Sequence, residues 1–125
     1  MNENDIGTAI LASSMKVHSA LGPGLLESAY ELCLSHELTL LGLPVRRQVD
    51  IPLRYKEIDV DHAYRLDILV DGRVVVEAKA LDAVLPVHRS QLLSYLRLGG
   101  FKLGYLLNFN VAHMRNGIVR LVNGL

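Results

Sequence analysis

Asp67 and the tripeptide Glu77-Ala78-Lys79 sit at the two ends of the stretch DILVDGRVVVEAK. Two carboxylates and a lysine on paired strands can hold a divalent cation and set a water beside a phosphate. Hard oxygen ligands suit Mg²⁺ or Mn²⁺, and Mg²⁺ keeps several of its waters. Such an ion polarises a phosphoryl oxygen and lowers the pKa of bound water, while a lysine stabilises negative charge in the transition state. The competing reading is plain: Glu-x-Lys is a common surface tripeptide, and Asp67 is then a solvated strand residue.

Convergence depends on the turn between the strands. Glu77 and Lys79 are two apart and project from one face. A two-residue loop at Asp71-Gly72 pairs Val70 with Arg73 and sets Asp67 opposite Val76, on the wrong face. A three-residue loop, Val70-Asp71-Gly72 with a left-handed Gly72, pairs Asp67 with Val75 instead and leaves Glu77 diagonal to it. The chemistry therefore requires an extra residue in the turn, or an equivalent kink.

Two helical pieces bring further groups. Gln91 and Tyr95 are spaced i, i+4 on one helix face shortly after the Glu-x-Lys strand. Gly24-Leu25-Leu26-Glu27-Ser28-Ala29-Tyr30 places Glu27 and Tyr30 one turn apart near a helix start. A carboxylate there is also favoured by the helix dipole alone.

The elements that carry these groups are legible as a pattern. Apolar residues at Ile6, Ala9, Ile10, Val17 and Leu21 predict a helix over 5–20. Leu21-Gly22-Pro23-Gly24 breaks it, and a Leu-rich helix follows from Leu25 to Leu41, closed by Gly42. Pro44 to Leu53 reads as a strand, with Val45, Arg47, Val49 and Ile51 on one side and Arg47 the exception among them. A turn at Tyr55-Lys56-Glu57 leads to a strand containing Ile58 and Val60. Strands over 63–70 and 73–80 flank Asp71-Gly72, with Leu66, Ile68 and Val70 on one face. Val74-Val75-Val76 has the character of a central strand buried on both sides. Pro86 starts a third helix to about Leu98, Phe101–Phe109 is a strand, and Ile118–Val122 a last short one. The expected architecture is an α/β sandwich, a mixed sheet flanked by helices.

Composition agrees with a single domain over 1–125: half of the 125 residues are hydrophobic and 21% charged. Thirteen basic and thirteen acidic side chains cancel, which argues against strong non-specific nucleic-acid binding. Arg46, Arg47, Arg54, Lys56 and Arg65 still leave room for a local basic patch. The one cysteine, Cys33, excludes an internal disulfide and reads as a buried structural thiol. No apolar run approaches a membrane span, and MNENDIGTAI has no signal-type pattern, so the expected setting is a reducing cytoplasm. The Leu-rich segment 25–41 suggests leftover apolar surface for a homodimer or another protein partner.

Taken in order, Gly24-x-x-Glu27-x-x-Tyr30, Asp67, Glu77-Ala78-Lys79 and Gln91-x-x-x-Tyr95 resemble the GxxExxY family of the PD-(D/E)XK nuclease superfamily, in its RecB-like branch. The similarity covers about Ile6 to Val122 and includes LGPGLLESAYE, HRSQLLSYL and LLNFNV. It implies a restriction-endonuclease-like core of helix, three-stranded antiparallel meander, helix and strand. It implies Glu27, Asp67 and Glu77 as metal ligands, joined by the Ala78 carbonyl, and Lys79 as the catalytic lysine. Gln91 and Tyr95 would support Lys79 or touch the substrate. One departure is Arg89-Ser90, where the family pattern leads to an acidic residue near His88. The implied activity is Mg²⁺- or Mn²⁺-dependent phosphodiester hydrolysis of nucleic acid, DNA ahead of RNA. The rival is a non-catalytic binding or assembly module that keeps the fold and the acidic site.

Further residues carry two readings each. His88, three residues before Gln91, is a substrate contact or an ordinary helix-start histidine. Arg65 is a phosphate contact or a salt-bridge partner. His62 with Asp59 and Asp61 is a remote metal-site candidate or a turn. Tyr30 reads as core packing with a hydroxyl partner.

Overall fold

Asn2 opens the first helix. Its side chain accepts from the Asp5 amide at 2.9 Å while the Asp5 carboxylate accepts from the Asn2 amide at 3.1 Å, a reciprocal cap. The computed structural model describes residues 1–125. Helix α1 spans Glu3–Leu21 and α2 Glu27–Leu40; the strands β1, Val45–Tyr55, β2, Ile58–Val70, and β3, Val74–Lys79, follow. Helix α3, Pro86–Gly99, leads to β4, Leu103–Asn108, and a 3₁₀ turn at Met114–Gly117 precedes β5, Ile118–Val122. Pro86 pre-sets the first turn of α3, and left-handed Gly100 (φ 72°) ends it.

The five strands lie in sequence order, β1-β2-β3-β4-β5. β1, β2 and β3 form an antiparallel meander, β3 and β4 run parallel with α3 as the crossover, and β5 returns antiparallel. This is the mixed α/β architecture expected, consistent with a restriction-endonuclease-like fold. Helices α1 and α2 cover one face, where Ile6, Ile10, Tyr30 and Leu34 pack on Ile68, Val76 and Leu107. Helix α3 covers the other, setting Leu92 and Leu96 on Val75, Leu106 and Val119. Val74, Val75 and Val76 are all fully buried, as a strand covered on both faces demands.

Three expectations need correction. The two strands read around Ile58 and over 63–70 are one continuous strand, β2. Strict alternation also fails on both β1 and β2. Val45 packs with the α1–α2 cluster but Val49 and Ile51 with the α3 cluster; Gln48 between them has φ 52°. Leu66 likewise belongs to the α3 cluster while Ile68 and Val70 belong to the other. Gln48 and Asp67 fall at corresponding places in the β1–β2 ladder, between Arg47↔Ile68 and Val49↔Leu66. One irregularity therefore reverses the faces of both strands.

The third correction is the register at Asp71-Gly72. The ladder pairs Val70↔Val74, Leu69↔Val75 and Ile68↔Val76. The loop is thus Asp71-Gly72-Arg73, neither of the two loops considered. Asp71 (φ 53°) and Gly72 (φ 64°) are both left-handed, a geometry that Asp tolerates and Gly favours. The extra residue that the chemistry required is present, shifted one place along the chain.

Candidate functional site

The β2–β3 ladder ends at Ile68↔Val76, although β3 stays paired to β4 as far as Lys79↔Asn108. Past that point side chains replace the ladder. The Asp67 amide donates to Glu77 Oε2 at 2.8 Å, and the Ala78 amide donates to Asp67 Oδ2 at 2.9 Å. Asp67 and Glu77 thus face one another across the opening, each tied to the other strand. Glu77 is almost fully buried, Asp67 half-buried.

Helix α2 supplies two more carboxylates. Glu27 is its first residue, and the Ala80 amide donates to Glu27 Oε1 at 3.3 Å, just past Lys79. One turn on, Glu31 is buried and binds Arg47 at 2.7 Å and Gln48 at 2.6 Å. A cleft of about 460 Å³ opens here, lined among others by Glu27, Glu31, Gln48, Asp67 and Ala78. The start of α2 is held by Tyr30. Its hydroxyl donates to the Gly22 carbonyl at 2.6 Å, accepts from the Leu25 amide at 3.1 Å, and its ring stacks on Phe109 at 4.5 Å. That is the packing role read from the sequence, and it sets where Glu27 begins.

Electrostatics mark the carboxylate pair. Burial, and then the charge of Asp67, push the Glu77 carboxyl up to about 8, against the Asp67 amide and Lys79, which favour its ionised form. Burial also raises Asp67, aided by Glu31 and Glu27 and opposed by the Ala78 amide and Lys79. Tyr95 reaches the same charges from α3. Burial and the Glu77 charge hold its phenol proton on, the Gln91 amide works the other way, and Asp67 adds to the rise. Its ring stacks on Tyr64 of β2 at 4.5 Å.

Asp67 and Glu77 therefore meet at the strand opening within electrostatic reach of Lys79, Glu27 shares the cleft with Asp67, and Tyr95, bonded by Gln91, feels the charge of Glu77. Arg65 is not among them: its Nε donates to Asp50 at 2.8 Å. His88 Nδ1 accepts from the Leu85 amide at 2.9 Å and caps α3. His62 turns to Asp50 at 3.3 Å, and Asp59 to Arg54 at 2.8 Å, so the remote metal-site candidate is not assembled. Sequence reasoning missed Glu31, whose spacing of four from Glu27 was the available signal. It also missed the left-handed Gln48, for which the sequence carries no signal.

The donor set suits a hard divalent cation by its chemistry, since a buried pair of like charges calls for a proton or a positive ion. The side chains do not form a closed shell: no three His, Cys, Asp or Glu groups are arranged to hold a metal. Glu77 and Glu27 are both turned to backbone amides instead.

With this geometry in hand, the comparisons are specific at one level. The family model of the PD-(D/E)XK nuclease superfamily matches residues 4–121, and the chain belongs to that superfamily. Membership suggests nuclease-type function, nucleic acid as the ligand class, and the divalent metal that such nucleases generally use. Searches of curated proteins and of solved structures return no significant match. No helix is long and apolar enough to cross a membrane.

Proposed function

We propose that this chain is a metal-dependent phosphodiesterase acting on nucleic acid, DNA ahead of RNA, in the GxxExxY family of the RecB-like branch. The observation that carries the reading is the meeting of Asp67 with Glu77 where the β2–β3 ladder opens, with Lys79 two residues on. Glu27, Asp67 and Glu77, with the Ala78 carbonyl, would hold Mg²⁺ or Mn²⁺. When bound, such an ion supplies a polarised phosphoryl oxygen and a more acidic water.

The chain's own residues do the rest. Burial favours the protonated form of both Asp67 and Glu77, so taking up a cation works against that preference by requiring them ionised. The Asp67 and Ala78 amides fix each carboxylate in place beforehand. Lys79 holds the attacking water and offsets charge that builds on the phosphate. Tyr95, oriented by Gln91 and its stack on Tyr64, borders the same charges. Arg65 and His88 would have to release Asp50 and the Leu85 amide to reach a substrate, so neither is assigned a role.

The test is cleavage of single- and double-stranded DNA and RNA with Mg²⁺ or Mn²⁺. Lys79→Ala is expected to lower the rate by at least about 100-fold with the melting temperature unchanged. One observation favours the second reading, a non-catalytic assembly module: Leu26, Leu32, Leu40 and Leu41 are more than half exposed on and beside α2. A second copy or another protein would cover them. No cleavage of any of these substrates with either metal would decide for that module.

A further inference from the structure

Gln48 is a non-glycine residue in the middle of a strand with φ 52°. L-residues with side chains avoid this region, and such strain persists where the surroundings hold it, often at functional sites. Its consequence is specific. A regular strand would send Arg47 and Gln48 to opposite faces; the left-handed residue sends both side chains to α2, where both meet Glu31. Gln48 then lines the cleft beside Asp67.

The cleft's charge makes this arrangement significant. Three carboxylates, Glu27, Glu31 and Asp67, line it, and no cation does. Such a wall repels a polyanion, and a further positive charge beside it, in addition to Lys79, eases the approach. Arg47 is anchored on one of these carboxylates, Glu31, at 2.7 Å, with its side chain 37% exposed against 7% for Glu31. Its contact with Glu31 is made through Nη2. Arginine has five N–H donors, so most of the fork is left to bind a phosphate oxygen, the geometry guanidinium suits best.

We propose that Arg47 is a phosphate-binding residue of this cleft and Gln48 a positioning residue, both delivered by the left-handed step in β1 and both anchored by Glu31. The proposal rests on nucleic acid as the ligand of the cleft. It deepens the nuclease reading by naming what grips the strand next to Asp67.

The experiment separates strain from function. Fluorescence anisotropy of a labelled 20-nucleotide DNA is measured in EDTA and again in Ca²⁺, so that cleavage does not enter, alongside thermal melting of each variant. Arg47→Ala is expected to weaken binding about tenfold and to flatten the salt dependence by about one unit of slope. Arg47→Lys is expected to recover part of the affinity. Gln48→Gly accepts the left-handed conformation freely, so it is expected to melt within about 3 °C of the parent yet bind DNA several-fold more weakly. Gln48→Ala keeps the strain without the Glu31 bond and is expected to melt lower than Gln48→Gly. If Arg47→Ala and Gln48→Gly both bind DNA like the parent, or the parent binds none in either condition, the proposal is overturned. Binding that depends on Arg47 in a protein that cleaves nothing with Mg²⁺ or Mn²⁺ would uphold it while the nuclease reading fails.

Discussion

Residue by residue, the site is built on backbone amides more than on pairs of side chains. Asp67 and Glu77 each replace a missing ladder bond with a carboxyl acceptor, so their carboxyl groups stay ordered while the Asp67 charge lies close enough to raise Glu77. Glu77→Gln tests this balance. The amide oxygen can still accept from the Asp67 N–H, and the buried like charge is gone. The metal-free variant is therefore expected to melt several degrees above the parent at pH 8, with cleavage lost. A lower melting point at pH 8 would mean that the ionised pair is not a burden. Tyr30 gives a structural counterpart. Tyr30→Phe keeps the stack on Phe109 but frees the Gly22 carbonyl and the Leu25 amide. Urea unfolding is expected to show a loss of about 1–3 kcal/mol, and any fall in metal affinity would follow from a loosened start of α2.

At the scale of elements, what was legible in the sequence divides along physical lines. Periodicity and breakers placed the three helices, because apolar spacing and Gly or Pro at the ends act locally. The central strand announced itself as three consecutive valines. The turn at Asp71-Gly72 was legible as needing an extra residue, but not which one, since Asp71 and Gly72 both accept a left-handed conformation. The reversal of faces at Gln48 and Asp67 was not legible at all. It is set by contacts of β1 with α2 through Glu31, which are distant in sequence. Thus Glu27, Asp67, Glu77 and Lys79 could be read in order as motifs, whereas the bonding of Arg47 and Gln48 to Glu31 could not. A glycine shows how tightly α3 is set against this sheet. A Cβ on Gly104 of β4 would lie 2.9 Å from Leu96 Cδ2 and 3.1 Å from Leu92 Cδ1. Gly104→Ala is expected to cost about 1–3 kcal/mol by overpacking, read in urea, and to lower cleavage by displacing Tyr95. A stable Gly104→Ala protein would show that the leucine tips yield without moving the helix.

For the whole molecule, the buried pair makes stability depend on pH in a direction opposite to that of most acidic residues. An unfolded glutamate titrates near 4.5, while in the folded chain Glu77 is pushed up to about 8. Between these values the folded state holds a proton that the unfolded state has released. Stability is therefore complete below about pH 4.5 as far as Glu77 is concerned, and falls as pH rises through about 8. Asp67 is also raised and acts with the same sign. Asp50, lowered by its bond to Arg65, acts the other way, but it is solvated and contributes little. The expected loss from Glu77 is on the order of a few kcal/mol, enough to move the melting temperature of a 125-residue chain by several degrees. Melting curves in EDTA are expected to shift down from pH 5 to pH 8. Added Mg²⁺ or Mn²⁺ is expected to restore more of that loss at pH 8 than at pH 5, because the cation takes the place of the proton. Removing it again with EDTA is expected to reverse the gain. A melting temperature that stays flat across the range, with and without metal, would mean that the two carboxylates are solvated in solution. The opening at the end of the β2–β3 ladder would then have no claim to bind a cation.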